Sequence, residues 1–301
     1  MSHPQERICE YSSNLASPFE IDGALYLVAQ NGEILSFKEN QLKNEFHFAG
    51  QPSSLVIESS GKAFYLADMA HQSIVSRIID DNGREEIHEI IKEYEGSPLL
   101  GPHSLVLSES LNSLIFTDSG PFGETSIENS TGSVFIIDLE ESVIRPLALN
   151  CLAYPSGLAL SLDEKILFVC ETCKNRVLRF VLTPQGIFYF SVFVNFQGRF
   201  GPITCSVSSS DLLYVGRFEF SQLSDEGLIS VVNTSNGQIV ENITLVGSPE
   251  ISGLTFSKQK NNILYVTENS SSQQSCIRVL IQTEDKDDKK NNNKDLNNSF
   301  K

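Results

Sequence analysis

No apolar run in this chain reaches membrane-spanning length. The most apolar stretch, 186–196, is far shorter than the roughly 20 residues that a bilayer-crossing helix needs. The opening Met-Ser-His-Pro-Gln-Glu-Arg lacks an apolar h-region, so no secretory signal is expected and the chain reads as soluble and cytoplasmic. Positive charge is scarce: 22 Lys and Arg stand against 38 Asp and Glu, a formal charge of −16, with no basic cluster. A surface of that sign repels phosphate backbones and anionic lipid, which argues against nucleic-acid binding. Tryptophan is absent. Helical spacing is nearly absent too, with 85–93 the one ambiguous stretch. Gly-x-Ser-x-Gly, P-loop and Gly-x-Gly-x-x-Gly patterns are missing, so nothing points to a serine-elbow hydrolase or to nucleotide binding.

In a reducing compartment the six cysteines (Cys9, Cys151, Cys170, Cys173, Cys205 and Cys276) are expected to be free thiols. Cys170-Glu-Thr-Cys173 has the spacing of zinc and redox sites. No second pair completes a four-cysteine zinc site, however, and no strand–helix context supports a thioredoxin-like motif, so both are read as ordinary thiols.

What the chain does contain is a repeat that starts at Pro and ends at an acid. Pro52-Ser-Ser-Leu leads to Tyr65-Leu-Ala-Asp68, and Pro102-His-Ser-Leu leads to Ile115-Phe-Thr-Asp118. Pro155-Ser-Gly-Leu leads to Glu171, and Pro249-Glu-Ile-Ser-Gly-Leu to Glu268. A degraded copy runs from Pro202 to Arg217, and a shortened one from Ser17-Pro-Phe to Ala29. Self-similarity at this period marks repeat architectures, and propellers where the units are β. Val, Ile, Phe and Tyr fill the short runs, while Ser, Asn, Asp and Gly separate them, as strands and turns require. The expected fold is all-β: a six-bladed propeller over 1–283, four antiparallel strands per blade, with Glu6–Tyr11 as the outer strand of the last blade. Residues 284–301, with five acidic and five basic side chains among Asn-rich sequence, are expected to be a disordered polar tail. The stretch Phe188-Tyr-Phe-Ser-Val-Phe-Val194 is apolar on both strand faces. Burial between blades is the reading expected, with an exposed partner patch as the alternative.

Phe116-Thr-Asp-Ser119, Gly132-Ser-Val-Phe-Ile-Ile-Asp138, Tyr154-Pro-Ser-Gly-Leu and Asn175-Arg-Val-Leu-Arg179 resemble the gluconolactonase/regucalcin and strictosidine-synthase-like proteins, six-bladed propellers also called calcium-dependent phosphotriesterase-like. The likeness is specific over 101–181, moderate over 17–68 and weak over 201–281. WD-repeat proteins fit poorly, since the chain has no Trp. For the lactonase branch the resemblance implies one divalent metal held by a Glu, an Asn and an Asp. Those positions fall here at or beside Ala16, at Ser156 and at Ile203, so all three ligands are replaced. The synthase branch implies a Glu near the start of the last blade, where Ser252 stands with Glu250 two positions away.

In a propeller blade the first strand begins where its antiparallel neighbour ends. The residues after Pro (Ser53, His103, Ser156, Ile203, Ser252) and those ending the second strand (Asp68, Asp118, Glu171, Arg217, Glu268) are therefore expected to converge at one channel mouth, with the loop 119–131 as a partial lid. His103 is the candidate general base, with Asp118 and Glu171 as catalytic partners and Asp118 or Asp68 to orient the imidazole. Ser53, Ser156, Arg217 and Ser252 are candidates for substrate binding. Asp118, Glu171 and Glu268 are the candidate ligands for a hard cation such as calcium. The competing reading is that each acid caps its own turn by accepting backbone N–H groups. Two functions stay open: a propeller that grips a small molecule or protein partner at the mouth without the metal, no cofactor being expected, or a lactonase/esterase-type hydrolase with a rebuilt divalent-metal site.

Overall fold

Runs of six to ten β-branched, aromatic and leucine residues, broken by Gly, Asn, Asp and Ser turns, form six four-stranded antiparallel sheets. The computed structural model describes residues 3–183, 185–219, 226–247, 250–260, 262–269 and 275–281. Blade 1 comprises Leu15–Ile21, Ala24–Ala29, Glu33–Lys38 and Gln41–His47, and blade 2 Pro52–Ile57, Ala63–Asp68, Ser73–Ile79 and Glu85–Ile91. Blade 3 comprises Pro102–Ser108, Ser113–Asp118, Gly132–Asp138 and Val143–Leu152. Blade 4 follows with Pro155–Leu160, Ile166–Glu171, Arg176–Leu182 and Phe188–Asn195, and blade 5 with Phe200–Val207, Leu212–Glu219, Glu226–Asn233 and Ile239–Val246. Blade 6 takes Glu250–Phe256, Ile263–Asn269 and Ser275–Ile281, and its fourth strand is Gln5–Tyr11 from the other end of the chain. That pairing closes the ring as the sequence predicts. The ambiguous stretch is strand Glu85–Ile91, and the helical content is one 3₁₀ turn, Thr172–Lys174, among the described residues. No helix of the described residues is long and apolar enough to cross a membrane. The expected tail, 284–301, and Pro249 lie outside the described residues.

The first strands of the six blades stand side by side around one axis, each beside the next and the sixth beside the first. The inner part of each blade is thus covered on both faces, which is why the second strand Ser113–Asp118 is buried at all positions around its apolar run Leu114-Ile-Phe. Each junction between blades holds its own apolar cluster. Ile115, Val134 and Ile136 of blade 3 pack on Leu158, Val169 and Leu178 of blade 4, and Leu25, Leu27 and Leu35 of blade 1 meet Ile277 of blade 6.

One expectation is overturned. Phe188–Asn195 is an outer strand, as predicted, but its far edge is uncovered, with Tyr189 57%, Phe190 40% and Val192 43% exposed. Phe190 stacks on Phe180 and Val194 is buried, so part of the apolar run serves the core and the rest faces solvent. All six cysteines are free, with Cys170 in the core and Cys173 half-buried in the 3₁₀ turn.

Candidate functional site

The residues that follow Pro are β-bulges. In blade 3 Pro102 pairs with Asp118 and Ser104 with Thr117, so His103 is an extra residue with no partner in the ladder. The same two-against-one step occurs at Ser53, at Ser156–Gly157, at Ile203, at Ser252 and at Ser17–Pro18. A bulge re-aims a side chain away from the alternation of its strand. Here the six bulges form one layer at the start of the inner strands. Ser17, Ser53, His103, Gly157, Ile203 and Ser252 from that layer line a central cavity of about 720 Å³. The half-buried Phe19, Val106, Leu160 and Val207 line it along the inner strands, and the exposed Asp22, Glu109, Leu162 and Lys258 line it at the opposite end, beside the first hairpins. Glycine at 157 is required by the ring, because a Cβ there would meet the Ile203 carbonyl oxygen at 2.6 Å.

The strand-end acids do not share that cavity. Asp118 accepts the N–H of Leu100 at 3.0 Å and of Gly101 at 2.8 Å; burial pushes its carboxyl up while these bonds pull it down. Asp68 accepts from Gln51 and Ala70 and pairs with His71. Glu171 accepts the Ala153 N–H at 2.9 Å and is held by Lys174 at 2.9 Å and Arg176 at 2.6 Å. Glu268 sits between Arg7 and Arg278, each at 3.0 Å. Each carboxylate serves its own blade, which corrects the expected gathering of Asp118, Glu171 and Glu268 around one cation. Among the described residues no three His, Cys, Asp or Glu side chains come together to hold a metal ion. The donor set offers hard oxygen ligands of the right kind, but all are already paired with N–H groups or cations, so they do not fit a calcium ion.

Arg217, expected to meet substrate, is 4% exposed and turned into the scaffold. Its Nη2 donates to the carbonyls of Phe200 and Gln197, its Nη1 to Ser230, and its guanidinium lies 4.2 Å from the Phe196 ring centre. Burial brings this guanidinium down to about 10.

The serines are engaged as well. Ser53 donates to the Pro102 carbonyl at 2.8 Å and Ser252 to the Leu15 carbonyl at 2.5 Å, each from one blade to the next. Thr117 reaches the Ser156 carbonyl and Thr172 the Pro202 carbonyl, both at 2.7 Å. The Ser156 hydroxyl is fully buried against Thr172 Oγ1 at 2.7 Å and lies outside the cavity lining. These hydroxyls therefore stitch adjacent inner strands together, a role the sequence does not advertise because each donor and its acceptor lie in different repeats.

His103 is the exception. It makes no side-chain hydrogen bond among the described residues, and its buried Nδ1 has no partner. Its ring meets the edge of Tyr154 at 5.6 Å, and Tyr154 in turn meets Phe122 of the 119–131 loop at 5.1 Å. Burial lowers the imidazole to about 4. It is therefore neutral at neutral pH, able to donate and accept one hydrogen bond each, and a weak base there. Neither Asp118 nor Asp68 hydrogen-bonds it, against expectation.

The family model described as SMP-30/Gluconolactonase/LRE-like region matches residues 16–270. The protein named Lactonase drp35 of Staphylococcus epidermidis strain RP62A is 27% identical over 216 residues, covering 66% of this chain and 62% of that protein. The chain thus matches less than two thirds of the length of such curated relatives. Among solved structures, a gluconolactonase of Xanthomonas campestris superposes with a TM-score of 0.73 at 18% identity, over 93% of this chain and 90% of that one. A calcium-binding protein, regucalcin, of Agrobacterium tumefaciens gives 0.72 at 14% identity, over 93% and 96%. At these identities the structural likeness establishes the fold.

Proposed function

Since this chain belongs to the SMP-30/gluconolactonase/LRE-like family, we propose that it is a binding propeller of that family, whose channel takes a small molecule with His103 as a hydrogen-bonding anchor. The observation that carries this reading is the engagement of Asp68, Asp118, Glu171 and Glu268 within their own blades, beside an unpartnered His103 in the cavity wall. A concave site lined by apolar side chains such as Phe19, Val106, Leu160 and Val207 and by polar ones such as Ser104, Ser206, Thr255 and His103 suits recognition. An imidazole near 4 is poorly matched to proton abstraction at pH 7. The test is turnover of δ-lactones and aryl esters by the purified chain with calcium, manganese or zinc, alongside elemental analysis. No bound metal and no chelator-sensitive turnover is the expected result; chelator-sensitive hydrolysis overturns it.

The name carried by the Staphylococcus relatives favours a second reading, a lactonase-type hydrolase. In it Asp118, Glu171 and Glu268 would have to leave their present partners to hold a divalent ion, and such an ion would supply Lewis-acid chemistry. This reading requires metal to raise the melting temperature, because a ligand of the native state alone must stabilise it.

A further inference from the structure

We infer that two copies of this chain associate through the outer strand of blade 4, pairing Phe188–Asn195 edge to edge across a two-fold axis. This strand hydrogen-bonds to Arg176–Leu182 on one side and is the last strand of its sheet on the other. An open edge presents a row of N–H and C=O groups ready to pair with another strand, and proteins that stay monomeric blunt it with charge or proline. Five outer strands of this ring are blunted in that way. Gln41–His47 carries Lys43 and Glu45, and Glu85–Ile91 carries Glu85, Glu86 and Glu89. Val143–Leu152 carries Arg145 and Pro146, Ile239–Val246 carries Glu241, and Gln5–Tyr11 carries Glu6, Arg7 and Glu10. The strand of blade 4 reads Phe-Tyr-Phe-Ser-Val-Phe-Val-Asn, with neither charge nor proline. Its exposed Tyr189 and Val192, with Ile187 at 65% just before it, form an apolar margin to that edge.

Charge favours this edge over the other five for a second copy. Two bodies of formal charge −16 repel one another, and the repulsion is smallest where the local charge is not negative. Blade 4, residues 155–195, has four basic side chains (Lys165, Lys174, Arg176, Arg179) against three acidic ones (Asp163, Glu164, Glu171). By the same count blades 1, 2, 3 and 5 are net negative and blade 6 balances, so blade 4 alone is net positive. The uncharged edge and the non-acidic blade coincide. Antiparallel pairing of a strand with its own copy is isologous, so the contact closes as a dimer and leaves no further edge of that kind open.

The experiment is sedimentation velocity on the full chain from about 1 to about 100 µM, at low salt and at about 0.5 M salt. The expected result is a doubling of mass with concentration and a larger dimer fraction at high salt, where the long-range repulsion is screened. Val192→Lys and Tyr189→Lys should each weaken association at least about tenfold while the melting temperature holds. If a lysine variant melts early, Tyr189→Thr, which keeps a strand-favouring residue, is read in its place. A monomer throughout the range overturns the inference. So does a dimer that survives both substitutions, or one that Val240→Lys on blade 5 dissociates equally. Association with acidic peptides alone, weakening with salt, would assign this edge to a different partner and overturn it as well.

Discussion

Arg217 donates to the backbone carbonyl of Phe200 at 2.7 Å, at the blade position where Asp118 accepts the backbone N–H of Gly101 at 2.8 Å. Both residues pair with a proline in the first strand of their blade, Arg217 with Pro202 and Asp118 with Pro102. The loop entering blade 3 therefore turns N–H groups toward the strand end, whereas blade 5 turns the carbonyls of Gln197 and Phe200 toward it. The sign of the side chain follows the polarity of the loop, with no reference to a ligand in the channel.

Asp118→Ala is then a stability mutation. It strips the buried N–H of Gly101 and the partly buried N–H of Leu100 of their acceptor, a loss of about 2–4 kcal/mol. Urea unfolding should show a lower midpoint with an unchanged slope. Arg217→Asp should destabilise more than Arg217→Ala, because it sets a carboxylate against carbonyl oxygens.

The same residues show what was legible in the sequence. Six blades and the convergence of the residues after Pro follow from the Pro-to-acid repeat, and the closing strand from the need to seal a ring, whereas the bulges that aim those residues were not read from the sequence. For the acids the sequence offered capping of the adjoining turn beside a shared cation site, and could not choose between them, because the N–H groups that Asp118 and Glu171 find are ones that any loop sequence supplies. The serine stitches and the bare edge at Tyr189 were hidden for a related reason. An apolar strand looks the same whether a neighbouring blade covers it or solvent does.

His103 should set an acid limb in the stability profile. The unfolded imidazole takes up a proton near 6.5, whereas the folded one, lowered by burial, resists until about 4. Stability is therefore complete above about 6.5 and is lost as pH falls from there to about 4, then levels off. A shift of that size corresponds to about 3 kcal/mol. The difference in unfolding free energy between wild type and His103→Gln, measured from pH 7.5 to 4, should shrink or change sign by roughly that amount. Asp118 and other carboxyls titrate in both proteins and cancel in the difference.

Thr172→Val tests the stitching between blades 4 and 5. Valine keeps the shape but leaves the Pro202 carbonyl and the Ser156 hydroxyl without their 2.7 Å partner, a cost of about 1–3 kcal/mol. Ser53→Ala removes the stitch between blades 2 and 3. Because the two junctions share no residue, the double variant should lose the sum of the single losses to within about 0.5 kcal/mol.

The closing blade should respond unequally to the loss of its two arginines' shared partner and of either arginine. Arg278 binds Glu268 through Nε and Nη2, both at 3.0 Å, and its side chain is 8% exposed beside a carboxylate that is 4% exposed. Arg7, on the strand from the other end of the chain, reaches the same carboxylate with its side chain 44% exposed. Glu268→Gln leaves Arg278 buried with no counter-charge, a loss of about 3–5 kcal/mol. Arg7→Ala removes a half-exposed ion pair and should cost no more than about 1 kcal/mol. Thermal unfolding of the two variants separates these outcomes. Equal losses would mean that Arg7 carries the closure through charge, whereas the geometry places it in the ladder between Gln5–Tyr11 and Ser275–Ile281 and in the core that ladder seals.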